Sequence, residues 1–238
     1  MPPATHSNTS VIRNRRLIWG FFILSSGIFH ALAADPPANL ARLVAERELA
    51  CEQLRGNYTY RQAVTIEEID PRKGPAGSYR ETRDIIFLPS GERSEKLLSE
   101  PRSTLTRLVL TPEDFADIRN IQPMLIIPEM LPRYVTRYRG EEDVDGIAAW
   151  VLELTPRQVF HGFRMFDGLL WVDQRDYSIV RIHGRAVPSV QTTRQENLFP
   201  TFTTLRERMD GDCWFPTLTW ADDTLPFRSG ALRMKLQI

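Results

Sequence analysis

The chain has 238 residues, 42% of them hydrophobic, with 30 lysines and arginines against 30 aspartates and glutamates. That length and apolar content suffice for one large core. A balanced charge gives no field to attract nucleic acid or an acidic membrane surface, so nucleic-acid binding is set aside.

Arg13, Arg15 and Arg16 precede an apolar stretch from Leu17 to Phe29, and Ala31, Leu32 and Ala33 follow it. A basic start, an apolar middle and a small-x-small end describe a signal peptide over residues 1–33, cleaved after Ala33, with residues 34–238 forming a single exported domain. Gly20, Ser25, Ser26, Gly27 and His30 interrupt the run, which falls short of the roughly 20 apolar residues of a membrane span. Cys51 and Cys213 are the only cysteines. In an exported chain they can pair in one way, or remain as two small buried apolar residues, and both readings stay open.

Leu40, Leu43, Val44, Ala50, Cys51 and Leu54 recur at helical spacing, with Arg42, Glu46, Glu48 and Glu52 on the other side, predicting an amphipathic helix that ends near Gly56. Alternation then predicts a long, edge-capable strand from Tyr58, a Gly/Pro loop from Pro71 to Ser78, and strands at Tyr79 to Leu88 and Glu92 to Leu98. Thr111, Pro112, Glu113 and Asp114 make a helix start, with a capping threonine, proline at the first position and acids in the first turn. The stretch from Met124 to Pro132 is apolar but holds Pro128 and Pro132 just after Pro123, which forbids a continuous helix or central strand. It reads equally as a methionine-bearing cover over a greasy cavity or as an ordinary loop packed on the core.

Strands follow at Tyr134 to Glu142 and Ile147 to Thr155 around Asp145-Gly146, and Phe160 to Phe166 leads through an Asp167-Gly168 turn. Phe166 to Arg185 is the clearest hairpin, two alternating runs joined by the polar corner Asp173 to Asp176. A loop from Pro188 to Pro200, strands at Phe202 to Met209 and Trp214 to Trp220, a turn around Asp222 and Asp223, and a final strand from Ala231 complete the chain. The fold class is α+β, mainly β: one large curved antiparallel sheet, open or nearly closed, with helices over its concave side.

His161 and His183, the histidines left after cleavage, have no ligand partner at metal spacing, and no G-x-S-x-G, P-loop or dinucleotide motif is present, so no metal or cofactor is implied. Asp173 with Asp176, and Asp222 with Asp223, form acid pairs, but turn chemistry explains them better than acid-base catalysis, and the chain reads as a non-enzyme. Trp150, Trp171, Trp214 and Trp220 fall in strands, as core packing or as the wall of an acyl-chain cavity. Burial is worth about 0.8 kcal/mol per methylene, so one lipid tail supplies roughly 10 kcal/mol with no polar motif. The candidate ligand-binding residues are therefore Met124, Leu125, Ile127 and Met130 in the gate, with Phe87, Trp150 and Trp171 as walls.

The run LTPEDFADIRNIQP from Leu110 to Pro123, the turn at Val144 to Gly146, the strand from Gly168 to Asp173 with Ile179 to Arg181 after it, and Trp214 to Pro216 with Ala221 to Asp223 resemble exported bacterial proteins of the outer-membrane lipoprotein-sorting family. These are similar to the periplasmic carrier LolA and its outer-membrane acceptor LolB, and the likeness runs from about residue 40 onward. It implies an incomplete, strongly curved antiparallel β-barrel with a helical lid, in a periplasmic carrier of lipoprotein acyl chains or other lipids. An envelope sensor of the same fold, acting through a protein partner, is the alternative. Similar proteins continue past Met234 to Ile238, which implies an exposed sheet edge at the last strand.

Overall fold

The computed structural model describes residues 35–55, 58–88, 92–119, 126–160, 163–191, 196–209, 211 and 213–238. The expected signal peptide, Met124, Leu125 and His161 lie outside them. Helix α1 (Leu40–Arg55) is followed by strands β1 (Tyr60–Asp70), β2 (Gly74–Phe87), β3 (Arg93–Leu97) and β4 (Arg102–Ser103), then helix α2 (Pro112–Arg119). A 3₁₀ turn (Leu131–Arg133) opens β5 (Tyr134–Val144), which is followed by β6 (Ile147–Pro156), β7 (Met165–Asp173), β8 (Ile179–Val187), β9 (Val190–Gln191), β10 (Glu196–Asn197), β11 (Phe202–Arg208), β12 (Trp214–Phe227) and β13 (Gly230–Gln237).

Eleven of these strands form one antiparallel sheet in the order β3-β2-β1-β13-β12-β11-β8-β7-β6-β5, with β4 added to β2. The sheet is curved but not closed into a barrel, as the sequence predicts, and β3 and β5 are its free ends. Local chemistry sets several joints. Asp145 and Gly146 both take positive φ, 52° and 85°, the geometry of a primed two-residue turn between β5 and β6. The Thr111 amide donates to Asp114 Oδ2 at 2.8 Å while the Asp114 amide donates to Thr111 Oγ1 at 3.2 Å, a reciprocal cap that starts α2 where its sequence predicts.

Both helices lie on one face of the sheet. Leu40, Val44 and Ala45 of α1 pack with Trp150, Leu152, Leu154, Phe166, Leu170, Val172 and Ile179 of β6, β7 and β8. Phe115 and Ile118 of α2, with Leu105, Leu108 and Leu110 before it, pack on Val64, Ile66, Tyr79, Leu225 and Met234 of β1, β2, β12 and β13. A third cluster, Val144, Ala149, Val151, Trp171 and Val180, occupies the opposite face of β5 to β8.

The structure corrects several expectations. β1 lies between β2 and β13, so it is no edge. The last strand, β13, is paired with β1 on one side and β12 on the other, so it exposes no edge either. The loop predicted from Pro71 to Ser78 is shorter, because β2 already begins at Gly74. Val190–Gln191 and Glu196–Asn197 form a small two-stranded sheet inside the predicted loop from Pro188 to Pro200. Asp167 and Gly168 sit within β7 rather than in a turn: Gly168 faces Gly184 across the ladder, and a Cβ on either would meet the neighbouring backbone at 2.3–2.4 Å. The glycines are there because the Phe166 ring covers them. Asp222 and Asp223 lie within β12, which continues to Phe227; Pro226 is tolerated because β11 ends opposite Ala221 and asks no amide of it.

Candidate functional site

Helix α1 is held very differently at its two ends. Its buried stripe runs Leu40, Val44, Ala45, Glu48, Cys51, turned from the predicted face so that Glu48 points inward while Ala50 and Leu54 are exposed. Glu48 is inside because Arg206 of β11 meets it there: Arg206 Nη1 donates to Glu48 Oε1 at 2.7 Å, and both side chains are almost fully buried. One turn later Cys51 and Cys213 form a disulfide, Cα to Cα 5.6 Å, which settles the question the sequence leaves open. Arg47 adds a hydrogen bond to Ser178 Oγ at 3.0 Å and an ion pair with Asp176 at 3.7 Å.

Among the described residues the other end of α1 has no such clamp, and it borders a groove of about 790 Å³. Pro36, Pro37, Leu40 and Ala41 form one side, Pro128, Leu131 and Pro132 the second, and Tyr134, Thr136 and Tyr138 of β5 with Leu152 of β6 the floor. The floor follows from strand alternation: Tyr134, Thr136 and Tyr138 pair with Pro156, Leu154 and Leu152, so they share the helix-covered face. Tyr134 is buried and its hydroxyl accepts the Phe166 amide at 3.1 Å, and burial pushes its phenol up. Tyr138 is raised by desolvation and by Glu141 and Asp35 nearby. The charged lining is Arg42, Glu46 and Arg157, of which Arg42 and Glu46 pair at 2.7 Å.

Of the residues singled out from the sequence, Met124 and Leu125 lie outside the described residues. Ile127 is half-buried and Met130 packs against the cluster beneath α1, on either side of the groove-lining Pro128. Trp150 lies deep in that cluster, 4% exposed, with its ring stacked 6.0 Å from Tyr177. Trp171 is on the opposite face, where its Nε1 donates to Glu142 at 2.7 Å and the Arg181 guanidinium covers its ring at 4.5 Å. Phe87 ends β2, whose half of the sheet is covered by α2. The structure thus puts Met130 and Trp150 in the cluster beneath α1, beside Ile126 rather than Ile127, and leaves Trp171 and Phe87 apart from it, with none of these among the residues that line the groove. The groove residues the sequence reading missed, Pro36, Leu40, Tyr134, Thr136, Leu152 and Arg157, carry no local signal beyond the alternation of β5 and β6.

The acid pairs are committed as structural acceptors. Asp173 takes the Arg175 amide at 2.9 Å and the Arg175 guanidinium at 2.9 Å, and although burial opposes ionisation these bonds hold it below the usual carboxylate range. Asp222 is lowered by its hydrogen bonds to Arg233, and Asp223 accepts the Thr201 amide at 2.9 Å. Among the described residues there is no cluster of three or more potential metal ligands.

No family model and no curated relative matches the chain. Solved structures do. A DUF1329 family protein from Desulfovibrio piger aligns at 14% identity over 85% of this chain and 92% of its own, with a TM-score of 0.40. A LolA superfamily protein from Nitrosomonas europaea aligns at 16% identity over 83% and 91%, TM-score 0.32. The MucA/MucB complex of Pseudomonas aeruginosa aligns at 11% identity over 84% and 93%, TM-score 0.26.

Proposed function

We propose that the chain is a periplasmic, non-enzymatic carrier, exported by a leader cleaved after Ala33, that holds acyl chains of lipoproteins or other lipids and serves lipoprotein sorting. The observation that carries this reading is the groove at the unclamped end of α1. Its volume is within the roughly 300–1,000 Å³ of small-molecule sites, and its walls are mostly proline, leucine and tyrosine. Such a surface binds by apolar burial and needs no catalytic group. The segment from Met124 to Leu131 serves as its gate, with Pro128 and Leu131 on the groove wall and the adaptable Met130 packed against the cluster beneath α1.

A second reading, an envelope sensor that binds a protein partner, draws on β5. This 11-residue strand is an end of the sheet, and its outer row of backbone groups suits an added strand.

The test is native mass spectrometry of the full chain expressed with its own leader and purified from a bacterial envelope without detergent. A stoichiometric adduct with the mass of a lipid or acylated peptide, lost in Thr136→Trp and Leu131→Asp, is the expected result. An apo mass in the wild type, with retention of an envelope protein instead, would move the assignment to the sensor.

A further inference from the structure

The groove carries one charge that acyl-chain binding alone does not require. Two guanidinium groups border it. Arg42 is taken up by Glu46 at 2.7 Å, whereas Arg157 is an exposed residue with no ion-pair partner among the described residues. The root of Arg157 is fixed, because its amide donates to the Arg133 carbonyl at 2.8 Å just beyond the end of β6. The one acid among the residues that line the groove, Glu46, is the partner of Arg42. The result is an apolar groove with a single uncommitted cation at its rim.

We propose that the ligand is a long-chain fatty acid, its tail lying along Leu131, Tyr134 and Leu152 and its carboxylate on the Arg157 guanidinium. This rests on the acyl-groove reading and narrows it. One planar guanidinium matches one carboxylate in a two-point, charge-assisted pair. An amide-linked acyl chain, being neutral, leaves that cation unused, and a dianionic phosphate asks for more positive charge than one guanidinium supplies.

The delipidated full-length protein is titrated with palmitate and with hexadecanol, ligands of equal chain length, by displacement of the neutral fluorophore N-phenylnaphthylamine. Palmitate is expected to bind about tenfold more tightly than hexadecanol, in keeping with a hydrogen bond to a charged group. Arg157→Gln removes that advantage without changing hexadecanol binding, and Arg157→Lys restores part of it. Because Arg157 is exposed, both variants are expected to keep the wild-type melting temperature. Equal affinity for the two ligands in the wild type, or an equal loss for both in Arg157→Gln, overturns the carboxylate assignment. If Thr136→Trp still weakens both ligands in that case, the acyl groove survives without it. Displacement by neither ligand overturns both.

Discussion

The two helix-covered halves of the sheet are built on opposite principles. Beneath the groove end of α1 the buried face is apolar, from Leu40 and Val44 to Trp150, Leu170 and Ile179, and the buried Glu48–Arg206 pair lies at the clamped end. Beneath α2 the apolar residues share their face with Gln62, Glu68, Glu81 and Arg83, all buried. Glu68 accepts the amides of Thr106, Arg107 and Leu108 at 2.9, 2.7 and 2.5 Å, pinning the segment before α2 to β1. Tyr79 donates to Glu81 at 2.7 Å, Arg83 to Glu81 at 2.6 Å, and Arg83 also pairs with Glu95. Gln62 donates to the Ile118 carbonyl at 2.7 Å, fastening the helix itself. Lifting that cover for an apolar guest would strand several buried polar groups, each costing about 1–3 kcal/mol or more. Among the described residues, the groove end of α1 holds no buried ionic network of this kind, which favours it as the proposed ligand site.

The α1 half is most sensitive at the clamp. Cys51→Ser with Cys213→Ser opens a loop of 162 residues and is expected to remove about 4–5 kcal/mol in the chain-entropy view, read as a lower midpoint in urea. Arg206→Ala leaves the Glu48 carboxylate buried and unpaired, with an expected loss of about 3–5 kcal/mol, while Glu48→Leu with Arg206→Met costs far less because no charge is left behind. Both disturb α1, and both should weaken groove binding along with stability.

On the other half, Glu68→Gln is expected to cost about 2–3 kcal/mol, since an amide cannot satisfy the cluster of donors as a carboxylate does, yet groove affinity should stay at the wild-type value. The same carboxylate governs acid stability. Burial alone would raise it, but the amides of Leu108, Thr106 and Arg107 and the Thr106 hydroxyl outweigh that and hold it below its ordinary value. A folded-state value below the unfolded one contributes stability above the unfolded pKa, and loses it as pH falls through the folded one. Below about pH 4 the wild type should therefore lose stability faster than Glu68→Gln, in urea titrations at stepped pH. At the bottom of the scale, Asp84→Asn breaks only the exposed pair with Arg61 and should leave the melting temperature unchanged within error.

What was legible in the sequence was local. The hairpin between β7 and β8, the Asp145-Gly146 turn and the Thr111 to Asp114 helix start all advertise themselves in adjacent residues, and each forms where expected. The same local signals mislead where packing overrides them. Asp167-Gly168 looks like a turn, yet it is strand because the Phe166 ring needs two facing glycines. Asp222-Asp223 ahead of Pro226 looks like a turn, yet β13 supplies Arg233 to one aspartate and the ladder runs on. Alternation told which residues share a face, but which face the helices cover depends on pairings such as β1 with β13 that join distant residues. The groove is assembled from residues 36–42, 128–138, 152 and 157, and Glu48 turns inward only because Arg206 arrives from 158 residues away.

Photo-crosslinking tests most directly whether the α1 half of the sheet holds the ligand. The full chain is incubated with a fatty acid bearing a diazirine at the tail, irradiated, digested and mapped by mass spectrometry. Label concentrated on peptides covering residues 36–42 and 128–138, and competed away by palmitate, is the predicted outcome. Label concentrated on residues 60–87 or 105–118 would place the guest beneath α2 and contradict the assignment.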